Sequence, residues 1–177
     1  MTPVPWQLQV FRISVRKREK WSWIRSVLAA RGLPRGRCID VGCGVGTLSV
    51  LLRDRGGSWT FLEPDAEAAQ ESEALLQVPV LRSSLEVLRI PGASLDLLTA
   101  FDVLEHLAAP EVFLREVARV LAPGGWFVAT TPAAQEGWYV WRRAGEQLFV
   151  ITKEAHGHVV EGFSEAALRE LIRRATT

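Results

Sequence analysis

The sequence contains few cysteines and histidines and no long apolar run. Its 177 residues include two cysteines, Cys38 and Cys43, and three histidines, which are too few for a disulfide framework and match no zinc-site spacing. No stretch of about 18 apolar residues occurs, which argues against a membrane-spanning helix. The first residues lack the charged start and apolar core of a signal peptide. We therefore expect a cytoplasmic protein.

Neither sign of charge is in excess, but the distribution of charge is uneven. The 21 basic and 20 acidic residues give a formal net charge of +1, so no nucleic-acid partner is expected. Residues 1–40 nevertheless contain nine basic and two acidic side chains. This segment suits contact with an anionic substrate or peripheral contact with a membrane, and it equally suits a solvated helix face.

Two hydrophobic periods alternate along the chain. Short apolar runs predict strands at 37–41, 58–62, 78–82, 94–101 and 126–130. Helical spacing predicts helices at 16–31, 47–55, 65–77, 110–121 and 164–174, with a less regular helical pattern at 135–150. Strands alternating with helices predict a mainly parallel sheet covered on both faces. Ligands of such sheets bind at the carboxyl ends of the strands.

A glycine-rich turn and an acid follow the first two predicted strands. The turn contains Gly42, Gly44 and Gly46, which allow a tight bend and a close approach of a ligand to the backbone. A dinucleotide-binding loop would have its third glycine at Thr47, and a P-loop would end in Gly-Lys-Ser/Thr, so both are disfavoured. Glu63 follows the second strand, where an acid can accept both hydroxyls of a ribose.

Residues 36–132 resemble the class I S-adenosylmethionine-dependent methyltransferases of the type 11/12 kind. The resemblance rests on the turn at 40–47, on Glu63 and on the segments 83–88, 101–107 and 121–125. It implies a Rossmann-like three-layer α/β/α sandwich with strand order 3-2-1-4-5 and S-adenosyl-L-methionine as cofactor, with S-adenosyl-L-homocysteine as the product. The sequence ends before the family's last two strands, so we expect these to be absent.

The resemblance also implies which residues hold the cofactor. In the family, the acid at the Asp40 position holds the amino group, the turn wraps the methionine, and the acid at the Glu63 position binds the ribose. Ser84 stands where the family has an adenine-binding Asp, and the next backbone amide belongs to Leu85. The cofactor-binding residues expected on this basis are Asp40, Gly42, Cys43, Gly44, Gly46, Glu63, Pro64, Ser84, Leu85, Phe101, Asp102 and Val103.

All three histidines are candidates for a general base. A histidine with a pKa near neutrality can take the proton from a hydroxyl nucleophile. His106 follows the fourth strand, whereas His156 and His158 lie in a His-Gly-His segment similar to one in a subgroup of these methyltransferases from surface-polysaccharide or lipid gene contexts. Each could instead order a loop or contact the substrate. No metal is expected, because the adjacent Glu105 and His106 alone are weak metal-site candidates.

We expect one domain over residues 1–177. Its parts are a basic helical segment (1–35), a cofactor-binding core (36–132) and a substrate cover with the last helix (133–177). The cover contains aromatic and basic side chains that suit a sugar, an anionic group or a membrane interface, or that belong to an amphipathic helix with its tryptophans in the core. They are Trp138, Tyr139, Trp141, Arg142 and Arg143.

The fifth strand is expected to form an edge of the sheet. A homodimer across this edge, cover by residues 135–160, or a sequence cut from a longer protein would each account for it. The sequence as a whole predicts methyl transfer to an O or N nucleophile of a small molecule, with a saccharide or a lipid-linked compound favoured. The alternative is a non-catalytic or partner-dependent module that binds the cofactor or its product. An NAD-linked oxidoreductase is the least favoured class.

Overall fold

The computed structural model describes residues 4–132, 138–140, 149–151 and 163–176. The helices are α1 (Trp6–Ile13), α2 (Val15–Ala30), α3 (Thr47–Arg53), α4 (Ala66–Leu76), α5 (Pro110–Val120) and α6 (Glu165–Thr176). The strands are β1 (Arg37–Val41), β2 (Ser58–Leu62), β3 (Val80–Leu81), β4 (Leu95–Phe101), β5 (Leu121–Thr130), β6 (Trp138–Val140) and β7 (Phe149–Ile151). A 3-10 helix (Leu104–His106) follows β4.

Five strands form one parallel sheet in the order β3-β2-β1-β4-β5. This order confirms the predicted fold class, and β1 and β2 have the predicted bounds. Because the strands are parallel, their carboxyl ends meet at one edge of the sheet, where the loops after β1, β2, β4 and β5 lie. Those loops contain most of the predicted site.

Helices cover both faces of the sheet, as a three-layer sandwich requires. The neighbours Leu97 and Leu98 of β4 are both fully buried, although successive strand residues point to opposite faces. Leu97 packs in a cluster with Ile24 and Leu28 of α2. Leu98 packs in a cluster that includes Leu114 of α5 and residues of α6. The apolar runs of the central strands therefore reflect burial on two sides.

The region 135–150 corrects a prediction. It was expected to be helical, but 138–140 and 149–151 are the strands β6 and β7, which pair antiparallel. Their sequences, Trp-Tyr-Val and Phe-Val-Ile, are aromatic and β-branched, and such residues favour strands. Among the described residues this pair is a separate sheet, and β5 is the outer strand of the main one. The predicted dimer across β5 stays a prediction.

Three smaller differences concern element ends. Helix α1 was not predicted; it begins after Pro5 and is followed by Ser14, whose hydroxyl accepts a hydrogen bond from Lys17 N at the start of α2 (3.3 Å). Strand β3 is shorter than predicted. Strand β5 begins five residues earlier than the predicted 126–130, and its register with β4 shifts between Leu95 and Leu97. No described helix is long and apolar enough to cross a membrane.

Candidate active site

The glycine turn joins β1 to α3, and its three glycines differ in how much space surrounds each Cα. Gly42, Gly44 and Gly46 all have positive φ values, of 66°, 54° and 81°. A Cβ on Gly42 would lie 2.6 Å from Val103 Cγ2, and one on Gly46 would lie 2.7 Å from Ser72 Oγ. A Cβ on Gly44 would meet nothing within 4 Å. The backbone at Gly44 is therefore open to a ligand.

Glu63 connects the end of β2 to this turn. Its Oε2 accepts a hydrogen bond from Gly44 N (2.7 Å), and its Oε1 accepts one from Asp65 N (3.0 Å). A carboxylate has about four lone-pair sites. Two donors therefore leave Glu63 with acceptor capacity for hydroxyl groups.

Asp40 is buried beneath the turn. Its two oxygens accept hydrogen bonds from Ser49 Oγ of α3 and Thr99 Oγ1 of β4, each at 2.6 Å. Burial raises the pKa of the carboxyl to about 6, although both hydroxyl donors act in the opposite direction. Asp40 thus ties β1 to β4 and α3. Its contact with the amino group of a cofactor remains a prediction.

The other predicted residues near the turn take varied positions. The Cys43 thiol lies 3.4 Å from Ser72 Oγ, and burial raises its pKa to about 12, so it is a neutral thiol. Pro64 is exposed beside Glu63. Ser84 is half-buried, while the side chain of Leu85 is fully buried in the core. The Leu85 side chain is therefore not available to a ligand, and contact of its amide or of Ser84 with an adenine stays a prediction.

Asp102 joins three elements at the end of β4. Its φ of 57° is left-handed, and its amide donates to the Thr130 carbonyl (2.7 Å). The carboxylate accepts a hydrogen bond from Thr130 Oγ1 (3.0 Å) and forms an ion pair with Lys20 of α2. Phe101 is buried in the cluster beneath α2, and Val103 packs over Gly42. The segment after β4 therefore touches the glycine turn.

Glu105 and His106 are adjacent in the 3-10 helix but have different surroundings. Glu105 is half-buried and accepts a hydrogen bond from Thr131 Oγ1 (3.0 Å). Desolvation raises the pKa of the Glu105 carboxyl, with Asp102 adding to the shift. His106 is exposed. The candidate bases His156 and His158, together with Trp141, Arg142 and Arg143, lie outside the described residues.

Several features of the site were missed by sequence reasoning. Lys20 was counted only as part of a charge run, and Glu105 only as a weak metal candidate. Thr47 served only to exclude a dinucleotide, yet its Oγ1 is buried and has no hydrogen-bond partner in the described part of the chain. Its position directly behind the glycine turn was the available signal. No group of three or more described His, Cys, Asp or Glu side chains could hold a metal ion.

Comparison with known proteins gives consistent matches. A family model for a methyltransferase domain matches residues 14–175. A ubiquinone biosynthesis O-methyltransferase of Xanthomonas campestris pv. campestris is 36% identical over 119 residues, which are 61% of this chain and 49% of that protein. One of the same name from a Caulobacter species is 33% identical over 101 residues, covering 54% and 40%. The matched part thus spans about half or less of these relatives.

Solved structures share the fold. A methyltransferase dependent on S-adenosylmethionine from Clostridium acetobutylicum has a TM-score of 0.66 and 16% identity, covering 94% of this chain and 83% of that one. Another from Mesorhizobium loti has a TM-score of 0.60 and 22% identity, covering 85% and 78%. Together with the family model, the sheet order and the glycine turn, these findings show that the chain belongs to the methyltransferase domain family, as a class I member whose cofactor is S-adenosyl-L-methionine.

Proposed function

We propose that the chain transfers a methyl group from S-adenosyl-L-methionine to an oxygen or nitrogen nucleophile of a small, lipid-linked molecule. The observation that supports this most is the 2.7 Å hydrogen bond from Gly44 N to Glu63 Oε2. It brings a ribose-binding type of acid and an open backbone turn to one point at the carboxyl edge of the sheet. The relatives are O-methyltransferases of ubiquinone biosynthesis, which favours oxygen as the acceptor.

The residues at this edge fit the cofactor. The space beside Gly44 admits a ligand to the backbone, and Glu63 has acceptor capacity for ribose hydroxyls. The buried Thr47 Oγ1, which lacks a partner among the described residues, lies directly behind the glycine turn. When bound, the cofactor supplies a methyl group already activated by its positively charged sulphur. The chain then has to align the acceptor and exclude water.

Among the described residues, we infer that Glu105 takes a proton from the acceptor. Its partly desolvated carboxyl has a raised pKa, which makes it a stronger base than an ordinary surface acid. The hydroxyl of Thr131 holds it at the carboxyl edge. Asp102 is less suited, because Lys20 and Thr130 already engage its oxygens. The exposed His106 is an alternative base, and His156 and His158, outside the described residues, stay candidates.

The test is calorimetric titration with S-adenosyl-L-homocysteine. Loss of a hydrogen bond to a charged group corresponds to about a 10- to 100-fold weaker affinity, which is the effect expected for Glu63→Gln. The matched control is Glu67→Gln, which removes an exposed acid from the first turn of α4 and should leave the affinity little changed. NAD should not bind.

Two results would contradict the proposal. A folded wild-type chain that does not bind the homocysteine product would remove its basis. Equal affinities of the Glu63→Gln and Glu67→Gln variants would show that Glu63 does not contact the ribose. Circular dichroism of each variant distinguishes these results from unfolding.

A further inference from the structure

The surface of α1 and the first eleven residues of α2, here called the N-terminal surface (residues 4–25), exposes several large apolar side chains. Nine large apolar side chains are exposed in the described part of the chain, and five of them belong to this surface. The five are Val4, Trp6, Ile13, Val15 and Trp23. Ile13 is 79% exposed and Val15 57% exposed, at the junction of the two helices. Large apolar side chains exposed to water in a patch mark an interaction surface.

The same surface has positive charge that nearby acids do not neutralise. Its exposed basic residues are Arg12, Arg16, Lys17, Arg18 and Arg25. Within the described residues none of the five side chains forms an ion pair. On α6, by contrast, three arginines each pair with a glutamate one turn away. The N-terminal surface therefore presents free cations next to exposed aliphatic and indole groups.

The ion pair between Lys20 and Asp102 anchors the helix α2, which carries part of this surface, to the carboxyl edge of the sheet. Asp102 directly follows β4 at the carboxyl edge, three residues before Glu105. Val15 is five residues before Lys20 on the same helix, a distance of about 8 Å along its axis. The pair thus holds α2 at the carboxyl edge, whereas Val15 lies about 140° around the helix from Lys20 and is exposed to solvent.

We propose that the N-terminal surface docks on an anionic lipid bilayer, from which the lipid-linked acceptor reaches the site. This inference rests on the proposed function. Exposed Trp side chains suit the membrane interface, and the cations suit anionic headgroups. A nucleic acid would satisfy the cations but would leave Ile13 and Val15 in water, whereas a bilayer buries them. The observations therefore favour lipid.

Co-sedimentation of the full chain with vesicles tests the proposal. We expect binding to vesicles of equal parts phosphatidylglycerol and phosphatidylcholine, weakened by salt, and little binding to phosphatidylcholine alone. The combined variant R12Q, R16Q and R18Q should bind about 100-fold more weakly, because each basic residue contributes several-fold. The matched control, R169Q, R173Q and R174Q, changes net charge by the same amount on α6 and should bind as the wild type does.

A second variant tests the apolar component. Ile13→Ser combined with Val15→Ser should weaken binding about 10-fold or more, and this loss should persist in high salt. The change removes two exposed side chains and should not alter the fold. If this variant binds the anionic vesicles as tightly as the wild type does, the junction of α1 and α2 does not insert into the bilayer.

Other outcomes also decide against the proposal. Equal binding to the two vesicle types would overturn it, as would equal losses in the two arginine variants. Tighter binding to a short DNA duplex than to the anionic vesicles, at the same salt, would identify a nucleic-acid surface instead. Calorimetry with S-adenosyl-L-homocysteine on the same samples separates failure of the docking surface from failure of the proposed function. Product binding without vesicle binding overturns the docking surface alone, and loss of product binding overturns the proposed function with it.

Discussion

The two halves of the carboxyl edge are built in different ways. The half after β1 and β2 depends on backbone: a turn of three left-handed glycines and one acid, Glu63, that accepts from two main-chain amides. The half after β4 and β5 depends on side chains, since Lys20 and Thr130 hold Asp102, and Thr131 holds Glu105. A backbone-built site can bind one cofactor with many sequences. A site held by side chains can change its acceptor with few substitutions.

The sharpest test of this division is Glu105→Gln. If Glu105 removes the proton, the variant should lose about 10²- to 10⁴-fold in kcat while its affinity for S-adenosyl-L-homocysteine stays unchanged. Turnover is measured as product release with a panel of simple and prenylated phenols. Because burial raises the pKa of Glu105 in the wild type, its rate should fall as pH falls through that raised value. The neighbouring His106→Gln is the competing variant, because His106 is the alternative base.

A greater loss of kcat in His106→Gln than in Glu105→Gln would identify His106 as the base. A loss of product affinity in Glu105→Gln would show that the two halves are not separate.

Gly42→Ala tests the point where the halves meet. The new Cβ would be in a left-handed conformation and 2.6 Å from Val103 Cγ2. Backbone strain and overpacking together should lower the free energy of unfolding by about 2–5 kcal/mol, measured by urea denaturation. Gly44→Ala has the same kind of φ but open space around the Cβ, so only about 1–2 kcal/mol is expected.

The double variant Gly42→Ala with Val103→Ala distinguishes the two causes. It should regain part of the stability lost in Gly42→Ala if contact with Val103 contributes. Equal losses of unfolding free energy in Gly42→Ala and Gly44→Ala would show that the two halves are not in close contact at Gly42.

Asp40 supports the backbone-built half and gives it a pH dependence. Its folded pKa of about 6 exceeds the ordinary 3.8, so between these values the folded state binds the additional proton. The unfolding free energy should therefore fall as pH rises through this window, by about 3 kcal/mol from this group. Asp40→Asn cannot titrate. The free energy of unfolding, measured by urea denaturation, should thus rise for the variant relative to the wild type between pH 4 and 7. If the two free energies change in parallel with pH, the titrating group is not Asp40.

The same division explains which features sequence patterns could predict. The bounds of β1 and β2 and the glycine turn follow from local patterns, the strand order follows from the family resemblance, and each is in the structure. The ion pair between Lys20 and Asp102 links residues 82 positions apart, and no local pattern signals it. The raised pKa of Glu105 depends on burial, which the neighbouring sequence does not reveal. Three-residue strands such as β6 are too short to establish a period.

Lys20→Met gives the smallest expected effect and tests how the side-chain-built half is held. Methionine keeps the length of the side chain but cannot pair with Asp102, which retains its bond from Thr130. Since Asp102 is 40% exposed, the pair should contribute no more than about 1 kcal/mol to the unfolding free energy, and less in high salt. Product affinity should change little while the KM for the acceptor rises, because α2 is then less firmly held at the carboxyl edge. A change in stability with no change in KM would limit Lys20 to a structural role, and the acceptor half would then depend on the loops after β4 and β5 alone.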